Sequence, residues 1–199
     1  MESQIKEGEF FSPSKGKVTF QEVIKEIYEY ISEKPEFFYD IIVGCDSPST
    51  DKPFFPIAIV VLRTGAGGRF FLKKMHYPDA YLKRFTNVST NWKQRILQEV
   101  YLSCELALSL RETLEREFGP GRSGHAGNSQ QSQDKTTEDQ QKTTPAFNYQ
   151  FQYIHADVGE HGKTKEMVKE VVGFIKSNGF EPRIKPQSFA ASVVADRYT

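Results

Sequence analysis

The sequence is poor in several features that would fix its class at once. It has two cysteines, Cys45 and Cys104, in 199 residues. Both lie in apolar segments and read as reduced core thiols, which excludes a disulfide framework. No apolar run approaches the length of a membrane span. The opening MESQIKEGEFF lacks a signal-peptide pattern, so a cytoplasmic location is expected. The 26 basic and 26 acidic residues cancel to a formal net charge of +0. No global field therefore favours nucleic acid, and any such binding needs a local basic face. Residues 121–144 contain no branched aliphatic or aromatic side chain. Such a segment cannot bury surface and is expected to be a disordered insertion within one domain.

What remains is 38% hydrophobic, enough for one core. The polar stretch 1–17 offers Phe10 and Phe11 as anchors. Thr19 and Glu22 form a capping-box pattern, and Val23, Ile24, Ile27, Tyr28 and Ile31 follow at helical spacing, predicting a helix over 19–33. IIVGCD at 41–46 reads as a buried strand, PIAIVVL at 56–62 as a second, and RFFLKKMHY at 69–77 as a third, with TGAGG as the hairpin turn between the last two. A long helix is predicted over 90–118, with Ile96, Leu97, Val100, Cys104, Ala107, Leu108 and Leu114 on its inner side. A fourth strand at 149–158, a helix at 162–178 closed by Gly179, a short fifth strand at 182–185, and a last helix at 189–198 capped by Ser188 complete the chain. The order predicts an α/β fold, a mixed five-stranded sheet with helices on both faces.

Acidic residues fall at telling places in that order. Asp46 ends the first strand and Asp157 the fourth; if those strands are parallel neighbours, the two carboxylates lie side by side at the usual ligand crevice. Glu99 flanks the apolar stripe of the long helix beside Ser103, Leu106 and Leu110, whereas Glu105 and Glu112 fall on its polar face. Asp196 shares a face of the last helix with Ser192 and Val193, among alanines small enough to bring that helix close to the sheet. Four clustered carboxylates repel one another without a cation. Hard divalent ions such as Mg²⁺ or Mn²⁺ prefer oxygen ligands, and a pair of them suits phosphodiester cleavage. Each acid also has a plain structural use: a turn at Asp46, a cap at Asp157, pairing of Glu99 with Arg95 and of Asp196 with Arg197.

The segments IIVGCDS, QRILQEVYLSCELAL, IHADVGEHGKTKEMVKEVVGFIKSNGF and IKPQSFAASVVADRYT resemble the YkuK family of predicted ribonuclease H-like nucleases. The resemblance spans nearly the whole chain outside the N-terminal tail and 121–144. It implies a ribonuclease H-like fold, with Asp46, Glu99, Asp157 and Asp196 as catalytic, metal-binding carboxylates for Mg²⁺ or Mn²⁺. The chain departs from the expected pattern at Pro48, which follows the Asp-Ser pair, and in its short last helix.

Ser47, Lys163, Lys73 and Lys74 are the candidate substrate contacts. GEHGKT at 159–164 invites a P-loop reading, but Asp157 stands where the first glycine is required. His155 and His161 flank Asp157 and could move protons, although an ordinary strand histidine is the commoner case. Basic residues Lys73, Lys74, Lys83, Arg84 and Lys93 are interleaved with Tyr77, Tyr81, Phe85 and Trp92, a mixture suited to phosphate backbones and bases or to a lysine-protected edge. The expected activity is metal-dependent hydrolysis of RNA, DNA or a hybrid. The alternative is a non-catalytic module of the same fold that binds nucleic acid or a protein.

Overall fold

The computed structural model describes residues 5–50, 52–85, 88–119 and 147–199; the segment 121–144 lies outside them. The centre of the fold is β3 (Tyr39–Cys45), in which every residue from Ile41 to Cys45 is buried. A strand apolar on both faces must be covered on both, and it is. It pairs antiparallel with β4 (Phe55–Arg63), which turns through Gly65 and Gly67, both at positive φ, into β5 (Gly68–Met75). On its other side β3 pairs parallel with β6 (Tyr149–Ala156), and β6 parallel with β7 (Glu181–Arg183).

The sheet has seven strands, not the five predicted, in the order β2-β1-β5-β4-β3-β6-β7. The extra two, β1 (Phe10–Ser12) and β2 (Gly16–Val18), form a hairpin that joins the β5 edge at Phe11 opposite Leu72. They come from the stretch read only as polar, with Phe10 and Phe11 as anchors. Three-residue strands are too short for alternation to show, and Phe10 alone is an inward anchor; Phe11 is 41% exposed.

The face carrying Ile41, Val43, Cys45, Ile57, Ile59 and Ile154 packs under α1 (Phe20–Glu33), α3 (Val88–Phe118) and α4 (Val168–Ser177), with a four-residue turn, α2 (Asp79–Leu82), leading into α3. The Thr19–Glu22 capping box forms as predicted. Tyr30 turns inward where Tyr28 was expected, because its ring meets Tyr39 and the buried Arg63 guanidinium, 4.2 Å from the ring centre. Tyr28 instead rests at the surface on Phe118 and Phe147.

The inner face of α3 is wider than its predicted apolar stripe: Val100, Cys104, Ala107 and Leu114 are buried as expected, and Ile96 and Leu97 pack against the core. Leu108 is exposed, while Glu99, Ser103, Leu106, Leu110 and Thr113 are buried. The polar members hid this face from an apolar-spacing argument. Their hydroxyls are satisfied within the helix, Ser103 Oγ donating to Glu99 O and Thr113 Oγ1 to Ser109 O, both at 2.8 Å.

The opposite face of the sheet carries Ile42, Ala58, Val60 and Leu72, and one element covers them, a C-terminal helix π-wound over Ala190–Ala195 and 3-10 over Asp196–Tyr198. It sits directly on Gly44, where an added Cβ would lie 2.7 Å from Ala191 N. Ser188 does not cap it through its side chain, whose Oγ is buried without a hydrogen-bond partner among the described residues. His155 takes that role, its Nδ1 accepting from Ala190 N at 3.1 Å.

Candidate functional site

The parallel register sets Gly44 beside His155 and Cys45 beside Ala156. Asp46 and Asp157 therefore leave neighbouring strands at the same level, about 4.8 Å apart along the hydrogen-bonding direction. Side chains alternate along a strand, so both acids fall on the side of Gly44 and His155, where the C-terminal helix lies. That helix brings Asp196, which is exposed. The Asp46 carboxyl is pushed up to about 7, first by burial and then by the charges of Asp157 and Asp196. These three acids thus share one electrostatic environment.

Glu99 reaches the same place from α3. It is buried, and its carboxyl is pushed up to about 8 by burial and by Asp46, with Asp157 adding a smaller push. Its Oε1 accepts from the Ser47 backbone N–H at 3.0 Å and from Ser47 Oγ at 2.5 Å. Arg95, one turn earlier, donates to the carbonyl oxygens of Ser47, Pro48 and Thr50. Glu99 and Arg95 together clamp the loop that follows Asp46. Arg95 was read only as a surface partner for Glu99. Its position one turn before a candidate acid was the sole sequence signal, and the carbonyls it serves belong to a loop with no pattern. Glu105, half-buried on the same helix, acts instead on Tyr77, whose hydroxyl it helps push up to about 12 after burial.

Asp157 pairs through Oδ2 with Lys185 Nζ at 2.8 Å, while its Oδ1 is buried with no hydrogen-bond partner among the described residues. Lys185 was missed because it sits in a short polar stretch after β7; its backbone N–H donates to Val158 O at 2.8 Å, which places it beside the acid.

The predicted substrate contacts divide. Ser47 is buried and spent on Glu99 and Arg95. Lys73 is buried too, donating to Glu7 O under the N-terminal segment with its ammonium 5.1 Å from the Phe10 ring centre; it is an internal fastening of the β5 edge and offers nothing to a substrate in solution. Lys74 alternates to the other face, is exposed, and stands opposite Pro56, whose O accepts from Asp46 N at 3.3 Å. It is therefore level with Asp46, two strands away. Lys163 is exposed beyond the loop that follows Asp157. The stretch 163–167 is a 3-10 turn preceding α4, so no helix opens at Lys163 as a P-loop would require. His155 is a buried strand histidine whose imidazole is pushed down to about 4 by burial and Arg183; it is neutral at physiological pH. Cys45 and Cys104 are buried free thiols.

The donor set is all oxygen, which suits a hard cation, and the bare Asp157 Oδ1 is the atom such an ion would satisfy. Among the described residues no three His, Cys, Asp or Glu side chains gather tightly enough to enclose one.

A family model described as Ribonuclease H-like matches residues 22–199. The chain belongs to the ribonuclease H-like family. It is also 28% identical over 191 residues to the uncharacterized protein YkuK of Bacillus subtilis (strain 168), covering 96% of each chain. No solved structure matches it. The family accounts for β3 to β7 and the C-terminal helix as one unit; the match begins within α1 and leaves the β1–β2 hairpin outside. Ribonuclease H-like membership points to a nuclease or nucleic-acid-related role. Among the described residues no helix is long and apolar enough to cross a membrane.

Proposed function

We propose that the chain hydrolyses phosphodiester bonds of nucleic acid with the help of Mg²⁺ or Mn²⁺. The observation that carries this reading is the pairing of Asp46 and Asp157 on adjacent parallel strands, one carboxyl raised to about 7 and the other holding a buried, unpartnered oxygen. A divalent ion bound there would supply an activated water and stabilise the leaving oxygen. Asp46 and Asp157 would hold it, and exposed Asp196 would close onto it from the C-terminal helix. Glu99 would add a ligand or keep its hold on Ser47, and in either role it fixes where Asp46 sits. Lys185 neutralises part of the acidic charge in the free protein and would turn to a substrate phosphate when one binds. Lys74 and Lys163 would meet the flanking backbone.

A non-catalytic nucleic-acid or protein module of the same fold is the second reading, and the Asp157–Lys185 pair favours it. The test is cleavage of labelled single-stranded, duplex, hybrid and branched nucleic acids in Mg²⁺ and in Mn²⁺, by wild type, Asp46→Asn and Asp157→Asn. Cleavage lost in both variants supports the nuclease reading. No cleavage of any substrate, with no metal-induced rise in melting temperature, leaves the binding module.

A further inference from the structure

Outside the carboxylates, the strongest unassigned feature is a basic hollow beside the single tryptophan of the chain. Gly162, Lys163, Lys165, Glu166 and Lys169 line a cavity of about 480 Å³. The Lys163 ammonium stands 4.9 Å from the centre of the Trp92 ring and the Lys93 ammonium 5.6 Å from it. Lys93 is also held by Glu166 at 2.8 Å. The indole thus gathers two cations at the mouth of the hollow by their attraction to its π face. Lys163, Lys165 and Lys169 are exposed, and Glu166, the acid lining the hollow, is already paired with Lys93. The hollow therefore carries surplus positive charge on a chain of zero net charge.

Its position gives the surplus a direction. Trp92, Arg95 and Glu99 are spaced three and four residues apart and share one face of α3. Arg95 and Glu99 hold the loop after Asp46. Trp92 is seven residues before Glu99, about 10 Å along the helix, or about three nucleotides of a stacked strand. From the other side, Lys163 follows Asp157 by one short loop, pinned where Gly159 N donates to Thr164 Oγ1 at 3.1 Å. The hollow thus adjoins two of the acid-bearing parts of the fold, α3 through Trp92 and the segment after Asp157 through Lys163.

We infer that Trp92, Lys93, Lys163, Lys165 and Lys169 form a phosphate-binding subsite that grips the backbone of a single nucleic-acid strand about three nucleotides from the carboxylates. The inference rests on the nucleic-acid reading above and names the form of substrate. A duplex would have to bring a strand into the hollow that Gly162, Lys163, Lys165 and Lys169 line beside Trp92, whereas a lone strand bends into it. The lysines hold phosphates, and the indole keeps two of them poised.

Trp92 reports the test directly, since its fluorescence is that of this subsite. Wild type and a Lys163→Ala/Lys165→Ala/Lys169→Ala variant are titrated in EDTA with a short oligo-deoxythymidylate, with the same sequence in duplex, and with inorganic phosphate, at several salt concentrations. Expected are a Trp92 signal with the single strand at lower concentration than with duplex or free phosphate, a loss of about tenfold in affinity in the variant, and a salt slope shallower by about 2. Binding seen by anisotropy without a Trp92 response, equal affinity in the variant, preference for duplex, or no binding at any salt overturns the subsite. Cleavage that survives in the variant with unchanged KM would refute the subsite and leave the nuclease reading standing. A Trp92 response without cleavage in any metal would refute the nuclease and leave the subsite.

Discussion

Replacing Asp46 with asparagine should stabilise the protein in the absence of divalent cations, and increasingly so as pH rises. Burial, Asp157 and Asp196 raise the Asp46 carboxyl from 3.8 to about 7. An acid whose folded pKa lies above its unfolded value binds its proton more tightly in the folded state. Stability is therefore lost as pH climbs between the two values, and the loss is complete above the higher one. The difference corresponds to up to about 4 kcal/mol at pH 8, of which about 2 kcal/mol is already present at pH 5 because the unfolded carboxyl is ionised there. Asparagine keeps the shape and carries no charge. The gain of Asp46→Asn over wild type should rise from about 2 kcal/mol at pH 5 to about 4 kcal/mol at pH 8, a shift at pH 8 of roughly 8–16 °C in Tm for a chain of this size. Glu99, raised to about 8 partly by Asp46, titrates with it as a pair, so the variant should also lower the Glu99 value. Urea unfolding in EDTA at pH 5, 6.5 and 8 measures the effect. A variant less stable than wild type at pH 8, or a difference that does not grow with pH, would refute the electrostatic account. Mg²⁺ should narrow the gap at pH 8: at a hundred times its Kd it adds about 2.7 kcal/mol to wild type and far less to the variant.

Two further predictions concern the neighbours of the acids. Lys185→Ala removes the ammonium 2.8 Å from Asp157 Oδ2; for a pair this exposed the change is about 1 kcal/mol, so Mn²⁺ affinity, read by the electron paramagnetic resonance of free ion, should tighten about fivefold, and unchanged or weaker binding would count against Asp157 as a ligand. Gly44→Ala puts a Cβ 2.7 Å from Ala191 N, which should cost about 1–3 kcal/mol in urea unfolding and speed hydrogen exchange across 190–198; a neutral outcome would mean that the C-terminal helix is not seated on β3.

The apolar runs and turns of β3, β4 and β5, the parallel placement of β6 beside β3, and the arrival of Asp46 and Asp157 at neighbouring strand ends were legible because each rests on local pattern plus one topological rule. Less legible was everything set by partners distant in sequence. Glu99 was picked from its helical face, but that it holds Ser47 follows from the approach of α3 to the loop after Asp46, which no spacing encodes. Ser188 has the right residue type for a cap and is displaced by His155, a choice made by the packing of the C-terminal helix on Gly44 and β6. Lys73 and Lys74 are indistinguishable in sequence, and one-residue alternation on a strand buries one and exposes the other. The β1–β2 hairpin escaped notice because an edge strand of three residues is fixed by the edge it joins.

The arrangement of charge argues against a purely structural use of the acids. An aspartate kept to shape the turn after β3 could be exchanged for asparagine with relief of repulsion and no loss of form. An aspartate kept to cap a helix would spend its oxygens on backbone N–H groups, whereas Asp157 Oδ1 is buried with no hydrogen-bond partner among the described residues. Lys185 pairs with Asp157, yet the Asp46 carboxyl still rises to about 7. Meanwhile Arg95 and Glu99, two buried ionisable groups, are spent on holding Ser47, Pro48 and Thr50 of the loop after Asp46 in place. A fold of this size has about 5–15 kcal/mol of net stability, and several kcal/mol of opposing charge at one strand end is a large share of it. On the proposed metal-dependent reading the repelling groups would receive a cation, and the hold of Glu99 on Ser47 would keep Asp46 in position for it.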